Sequence, residues 1–374
     1  MNKRLVYLSD CDLTGSGYLN IAIPICTGLT NLGYDVKVLG LGYKGTQHDY
    51  PFSIIPTGGM QEVFAMLQNL HSVWTFDCFI VAMDIPIQCF FLNKMPNRPF
   101  KYVGIMPVEA DPLSMSWAAQ LTRMDKAMII SKFGYEEAKK AGVFNASYLQ
   151  IGVDTELWRT PTVEERDKIR KSILGFEDDT FAVLTVADNQ ERKNLSRSME
   201  IFADFAKDKP NARYILVTRK NSPVGWNLDD LAIELGILNK MLMFERGIDF
   251  KQLWSLYAAS DCMLLTSKAE GLGMPILEAM SVGLPCVATN CTGMRESLSN
   301  DRGLLIAYEY KHTDPFGNAH RYWANKEDGV LDLEIIYQKK SEVDLNDAYE
   351  YVRDRKWSIA VDQLDKVLKE VIGE

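Results

Sequence analysis

Histidine is scarce, with four in 374 residues. None of them (His48, His71, His312 and His320) stands in an H-E-x-x-H pair or beside cysteines at zinc-site spacing. P-loop and G-x-S-x-G sequences are missing too, so a zinc protease, a phosphotransferase and a serine hydrolase lose their usual support. The seven cysteines are odd in number, scattered and without a C-x-x-C pair, which reads as buried free thiols rather than a disulfide framework. No run approaches the roughly 20 apolar residues of a membrane span. The early run Leu5 to Leu8 falls short of the roughly 7 to 15 residues of a signal-peptide core, so the expectation is a cytoplasmic protein without a transmembrane segment. A basic excess is absent as well. The net charge of -9 disfavours nucleic acid as a partner.

What is present is an alternation of short β-branched runs with helical stretches, over a length that suits two domains better than one. Strands are expected at Leu5 to Ser9, Val36 to Gly40, Cys78 to Ala82, Tyr102 to Met106, Ala127 to Ile130 and Ser147 to Ile151. The stretch Asp154 to Asp179, with Pro161 and the charge run Glu164 to Lys171, breaks the alternation before Phe181 to Val186 restarts it. The expected division is therefore 1–158 and 159–374. The second part reads as strands at Phe181 to Val186, Tyr214 to Val217, Leu242 to Phe244, Cys262 to Leu265 and Cys286 to Ala288. Residues 311–341 show no clear period, and one last helix over 344–372 is expected to pack back toward the first domain.

Chemistry concentrates in the stretch Ser267 to Met280, which follows an apolar strand and reads as glycine turn and helix start. Gly271 and Gly273 let backbone N–H groups approach a ligand, and Pro275 suits a helix beginning. The free N–H groups of that helix make an anion site. Glu270 precedes the turn and Glu278 is expected in the first helical turn, where carboxylates suit ligand hydroxyls. This stretch resembles the E-x7-E signature of retaining glycosyltransferases of the GT-B kind, notably glycosyltransferase family 4. The likeness runs on through Gly283 to Thr289 and to Gly293 and Glu296, and includes Gly152-Val153-Asp154.

The resemblance implies two doubly wound Rossmann-like α/β domains facing a central cleft, acceptor side first and donor side second. It implies that Glu278 holds the ribose hydroxyls of a nucleotide sugar and Glu270 the donor sugar, with the backbone of Gly271, Leu272, Gly273 and Met274 on sugar and phosphate. Lys193 matches the family's diphosphate lysine, so Glu270 and Lys193 are the implied catalytic pair. The accompanying arginine falls at Ala187 or Asp188 here, which leaves Arg192 or Arg219 to supply the second positive charge. Retention of configuration, front-face displacement and independence of metal are implied in the same way. No cofactor is expected; the substrate is a UDP- or GDP-linked sugar.

In the first domain Gly15-Ser16-Gly17 is a weak G-x-G whose third dinucleotide glycine falls at Asn20, with no acidic residue after the second strand, so an NAD fingerprint fails. As a GT-B feature Gly17 would lie near the donor phosphates. Where the family often has a histidine after the fourth strand, this chain has Glu109 and Asp111 as the polar alternatives. Asp10-Cys11-Asp12 has D-x-D spacing but reads as a turn. The acceptor is open: glycan, lipid-linked or small-molecule, with peripheral membrane contact left open too. A nucleotide-sugar epimerase and a non-catalytic bilobal sugar-nucleotide-binding protein are the rival readings.

Overall fold

The computed structural model describes residues 3–12, 17–339 and 343–373. The chain divides into two compact units, one of Met1–Gly152, Pro315–Ala319 and Arg355–Glu374, the other of Val153–Asp314 and His320–Asp354. The division thus falls after Gly152 rather than after 158, and the last helix counts with the first unit rather than with 159–374.

The first unit holds seven parallel strands, β1 (Arg4–Asp10), β2 (Asp35–Leu41), β3 (Ser53–Thr57), β4 (Cys78–Ala82), β5 (Lys101–Met106), β6 (Lys126–Ile129) and β7 (Ala146–Tyr148), in the order β3-β2-β1-β4-β5-β6-β7. Strands buried on both faces must be apolar throughout, and β4, Cys-Phe-Ile-Val-Ala, is buried at every position. The strand order reverses between β1 and β4, the switch point at whose carboxyl edge doubly wound sheets take ligands.

The second unit repeats the design with β8 (Phe181–Val186), β9 (Ala212–Thr218), β10 (Met241–Glu245), β11 (Cys262–Leu265), β12 (Cys286–Thr289) and β13 (Leu304–Ile306), in the order β10-β9-β8-β11-β12-β13. All pairs are parallel, and the switch point lies between β8 and β11. A separate hairpin, β14 (Tyr308–Asp314) and β15 (Ala319–Ala324), stands outside this sheet.

The charge run Glu164 to Lys171 is not a linker. Thr162 and Glu165 form a reciprocal capping box that starts a helix at Val163–Lys168, continued by a wider turn at Ile169–Ile173. Its arginines turn inward: Arg166 and Arg170 reach the buried Asp261 at 2.8 and 3.1 Å, and Asp261 also accepts the Ala182 N–H at 2.8 Å. The run therefore fastens a helix to the amino ends of β8 and β11. The expected single last helix is two, Asn346–Arg353 and Trp357–Ile372. They part because Arg355 is buried and its guanidinium donates to the Ile151 carbonyl at 3.3 Å.

Candidate functional site

The loops after β8 and β11 flank the switch point of the second sheet, and they carry the residues singled out from sequence. After β11 the chain turns through Gly271 and Gly273 into the helix Met274–Val282; Gly273 has φ +81°, a conformation suited to glycine. The turn is held from the helix Thr292–Leu298. The Glu270 N–H donates to Thr292 Oγ1 at 2.9 Å and the Gly293 N–H to the Glu270 carbonyl at 3.0 Å. Thr292 itself has φ +43°, a left-handed conformation that costs a β-branched residue on the order of 1–3 kcal/mol. The surrounding contacts hold it there.

After β8 the chain makes one tight turn, Glu191–Lys193, and passes through Asn194 at φ +53° into the helix Leu195–Phe205. The two loops are fastened to each other. The Lys268 N–H donates to the Arg192 carbonyl at 2.8 Å and Thr266 Oγ1 to the Asn194 carbonyl at 2.9 Å. At their junction the buried Glu270 carboxylate accepts from Lys193 Nζ at 2.5 Å, Ser267 Oγ at 2.7 Å and the Arg192 guanidinium at 3.1 Å. Burial alone pushes this carboxyl up, but the charges of Lys193 and Arg192 outweigh it and hold it down to about 2. Glu270, Lys193 and Arg192 are thus one ionised cluster.

Glu278 lies in the second turn of its helix, not the first, because the helix starts at Met274. It is buried, and Tyr257 donates its phenol to it at 2.8 Å. Burial pushes the carboxyl up to about 7, with the Tyr257 hydrogen bond pulling the other way. A carboxyl enclosed in this manner is not a surface charge serving the helix end.

Where the family arginine was sought stands Asp188. It accepts from Arg219 at the end of β9 and from Arg246 at the end of β10, both at 3.2 Å. Arg219 is therefore engaged by Asp188, which it shares with Arg246, and Arg192 is the arginine that shares Glu270 with Lys193. Next to this group the loop after β9 bounds a cavity of about 520 Å³ lined by Lys220, Ser222, Trp226, Asn227 and others. That loop is docked on the buried Asn189, which exchanges hydrogen bonds of 2.9 Å with the Trp226 backbone.

In the first unit Gly17 is exposed at the start of the helix Gly17–Asn31, while Gly15 and Ser16 lie outside the described residues. Glu109 and Asp111 are half-buried just beyond the carboxyl end of β5. Asp10 Oδ1 accepts the Asp12 N–H at 3.0 Å, so the D-x-D makes a turn.

Residues 165–314 match the family model described as glycosyl transferases group 1. EpsD of Bacillus subtilis (strain 168), named as a candidate glycosyltransferase, is 30% identical over 157 residues, 42% of this chain and 40% of its own. The serotype-specific mannosyltransferase WbdA of Escherichia coli is 28% identical over 240 residues, 63% of this chain and 28% of its own. The chain spans less than half the length of these curated relatives. Among solved structures, Anabaena HepE in complex with UDP and glucose superposes with a TM-score of 0.73 at 16% identity, over 99% of this chain and 100% of that one. The fold is GT-B.

On the GT-B frame, sequence reasoning missed Tyr257, Thr292, Asp188 and Arg246. For Arg246 a signal existed: like Arg219, it stands immediately after an apolar strand, at the ligand edge of the sheet. Tyr257 and Thr292 carried none, since a phenol in an apolar helix and a threonine in a turn ordinarily read as core and loop.

Proposed function

We propose that the chain is a glycosyltransferase which moves a sugar from a UDP- or GDP-linked donor to a hydroxyl of a glycan, lipid-linked or small-molecule acceptor, with retention of configuration and without a metal ion. The observation that carries this reading is the contact of Glu270 with both Lys193 and Arg192 at 2.5 and 3.1 Å, beside the turn that opens the helix Met274–Val282. In this reading Glu278 accepts from the ribose hydroxyls and Glu270 from those of the donor sugar. Lys193 and Arg192 meet the diphosphate together with the backbone from Gly271 to Met274. In the first unit Gly17, Glu109 and Asp111 follow β1 and β5 at the edge where such a sheet takes ligands.

Lys193 is paired with Glu270 until a diphosphate competes for it. In the reaction the bond from the anomeric carbon to the diphosphate oxygen breaks and a bond to the acceptor oxygen forms on the same face. The acceptor's proton passes to an oxygen of the leaving phosphate. Charge developing on that phosphate is met by Lys193, Arg192 and the backbone N–H groups of the turn from Gly271 to Met274. That WbdA is named a mannosyltransferase and that HepE was solved with UDP and glucose support a hexose donor.

Calorimetry with UDP, GDP and ADP tests the assignment. Wild-type protein should bind one of the three, and Glu278→Ala should weaken that binding by roughly 10- to 100-fold, the worth of hydrogen bonds to a charged acceptor. Glu270→Ala should retain nucleotide affinity and lose turnover of the sugar donor. Unaltered nucleotide affinity in Glu278→Ala would sink the site.

A further inference from the structure

The hairpin β14–β15 belongs to neither sheet, yet its second strand is fastened to the Glu270 loop. The Tyr322 N–H donates to the Lys268 carbonyl at 3.0 Å, two residues before Glu270. The next residue, Trp323, presents its ring to the Lys268 ammonium, whose nitrogen is 3.6 Å from the ring centroid. Lys268 is wholly buried, which a lysine almost never is unless paired. It meets the Trp323 face and the carboxylate of Glu191, the residue before Arg192, and feels the charge of Asp314.

Glu191 is 58% exposed on its side chain, so from the dry side the indole is what replaces water around the ammonium. Trp323 is itself fixed. Its indole N–H donates to His312 Nδ1 at 3.3 Å, and Tyr310 stacks on it with ring centroids 5.5 Å apart and planes 20° from parallel. A continuous path therefore runs from β14 through Trp323 and Lys268 into both loops, since the Lys268 N–H also donates to the Arg192 carbonyl at 2.8 Å.

We propose that Trp323 and Lys268 are positioning residues, through which the hairpin sets the placement of the Glu270 carboxylate on the donor sugar. This rests on the reading of Glu270 as the donor-sugar ligand. The Lys268 side chain is enclosed, and with the Trp323 ring on its ammonium it acts by fixing the backbone on which Glu270 is mounted.

The test uses the full chain as wild type, W323L, W323F and K268M. Hydrogen exchange is followed at the Lys268 and Glu270 amides, beside kcat and KM for the nucleotide sugar and the affinity for the free nucleoside diphosphate. In W323L and K268M those two amides should exchange roughly tenfold faster and kcat should fall roughly 10- to 100-fold, the cost of a misplaced reacting group. Exchange in β8 should stay at wild-type values, nucleotide affinity should fall by less than kcat does, since the brace reaches Arg192 only through its carbonyl, and W323F, which keeps an aromatic face, should recover most of kcat. Wild-type exchange at both amides in W323L, wild-type kcat in W323L, or a loss of kcat matched by an equal loss of nucleotide affinity would each overturn the proposal. If wild-type protein turns over no nucleotide sugar, the donor reading fails on its own. Exchange then decides the brace: faster exchange in W323L and K268M supports it, and unchanged exchange overturns it.

Discussion

Holding Glu278 ionised inside the second unit is costly, because among the described residues the Tyr257 phenol is the one hydrogen-bond donor that replaces the water its carboxylate loses. Its folded value of about 7 lies above the ordinary 4.5, so the folded chain keeps a proton that the unfolded chain has released. Stability from this group is fully present below 4.5 and is lost as pH rises through about 7. Glu270 has the opposite sign: held down to about 2 by Lys193 and Arg192 against its own burial, it contributes stability above 4.5 that is lost only as pH falls through about 2. Over the range from about pH 5 to about pH 8 only Glu278 of the two changes its contribution. The expected outcome is that the thermal midpoint of Glu278→Gln falls less between these pH values than that of wild type, because Gln can still accept the Tyr257 phenol and cannot ionise. Parallel pH profiles for the two proteins would show that Glu278 titrates as an ordinary exposed glutamate. Roles of this kind were only partly legible beforehand. The E-x7-E spacing located both carboxylates, but a spacing does not say that one is paired with two cations and the other enclosed against Tyr257, since those partners come from positions 77 and 78 residues away for Glu270 and 21 for Glu278.

At the scale of elements, the signature turn depends on a glycine outside it. A Cβ on Gly293 would meet the Gly271 carbonyl oxygen at 2.5 Å and its carbon at 2.7 Å. These are backbone atoms, so the turn has to move. Gly293→Ala should therefore lower donor turnover by roughly 100-fold, as expected for a displaced catalytic group, while the fold survives with a cost of about 1–3 kcal/mol. Kinetics beside thermal melting would check it, and wild-type turnover would show that the turn absorbs a methyl group without consequence. Elements with a strong apolar run, β1, β4, β5 and β8, were read from sequence within a residue or two. Three of the missed ones share a reason: their signal was weakened by residues that serve a particular place. Pro56 argues against a strand, yet β3 is an edge strand, where a missing N–H is tolerated. The helix Ile85–Lys94 has no polar face to give it period, because Gln88 is buried and spends its amide on the carbonyls of Val81 and Met83. In the hairpin β14–β15 the first strand alternates aromatic and polar residues, but the second sets Tyr322 and Trp323 side by side, and its inward partner is a lysine rather than an apolar sheet.

For the whole molecule, chain order and unit membership part company: the helix Trp357–Ile372 lies at the end of the sequence and is built into the first unit. Its inner face, Ala360, Val361, Leu364, Val367 and Leu368, is buried. Gly28 is a glycine where a Cβ would stand 2.4 Å from Val361, and Gly152 one where it would stand 2.6 Å from the Trp357 nitrogen. Tyr34 adds a hydrogen bond of 2.9 Å to Asp365. Each buried Val or Leu is worth about 1.5–3 kcal/mol. Four of them approach the entire stability of an ordinary domain, about 5–15 kcal/mol. Removing residues 355–374 should accordingly unfold the first unit and spare the second. The expected record is loss of hydrogen-exchange protection in β1 and β2 with protection retained in β8 and β11, and nucleotide affinity largely preserved, because Glu278, Glu270 and Lys193 all belong to the second unit. If protection is lost equally in both sheets, the two units fold as one cooperative body, and the assignment of the helix to the first alone does not describe the energetics.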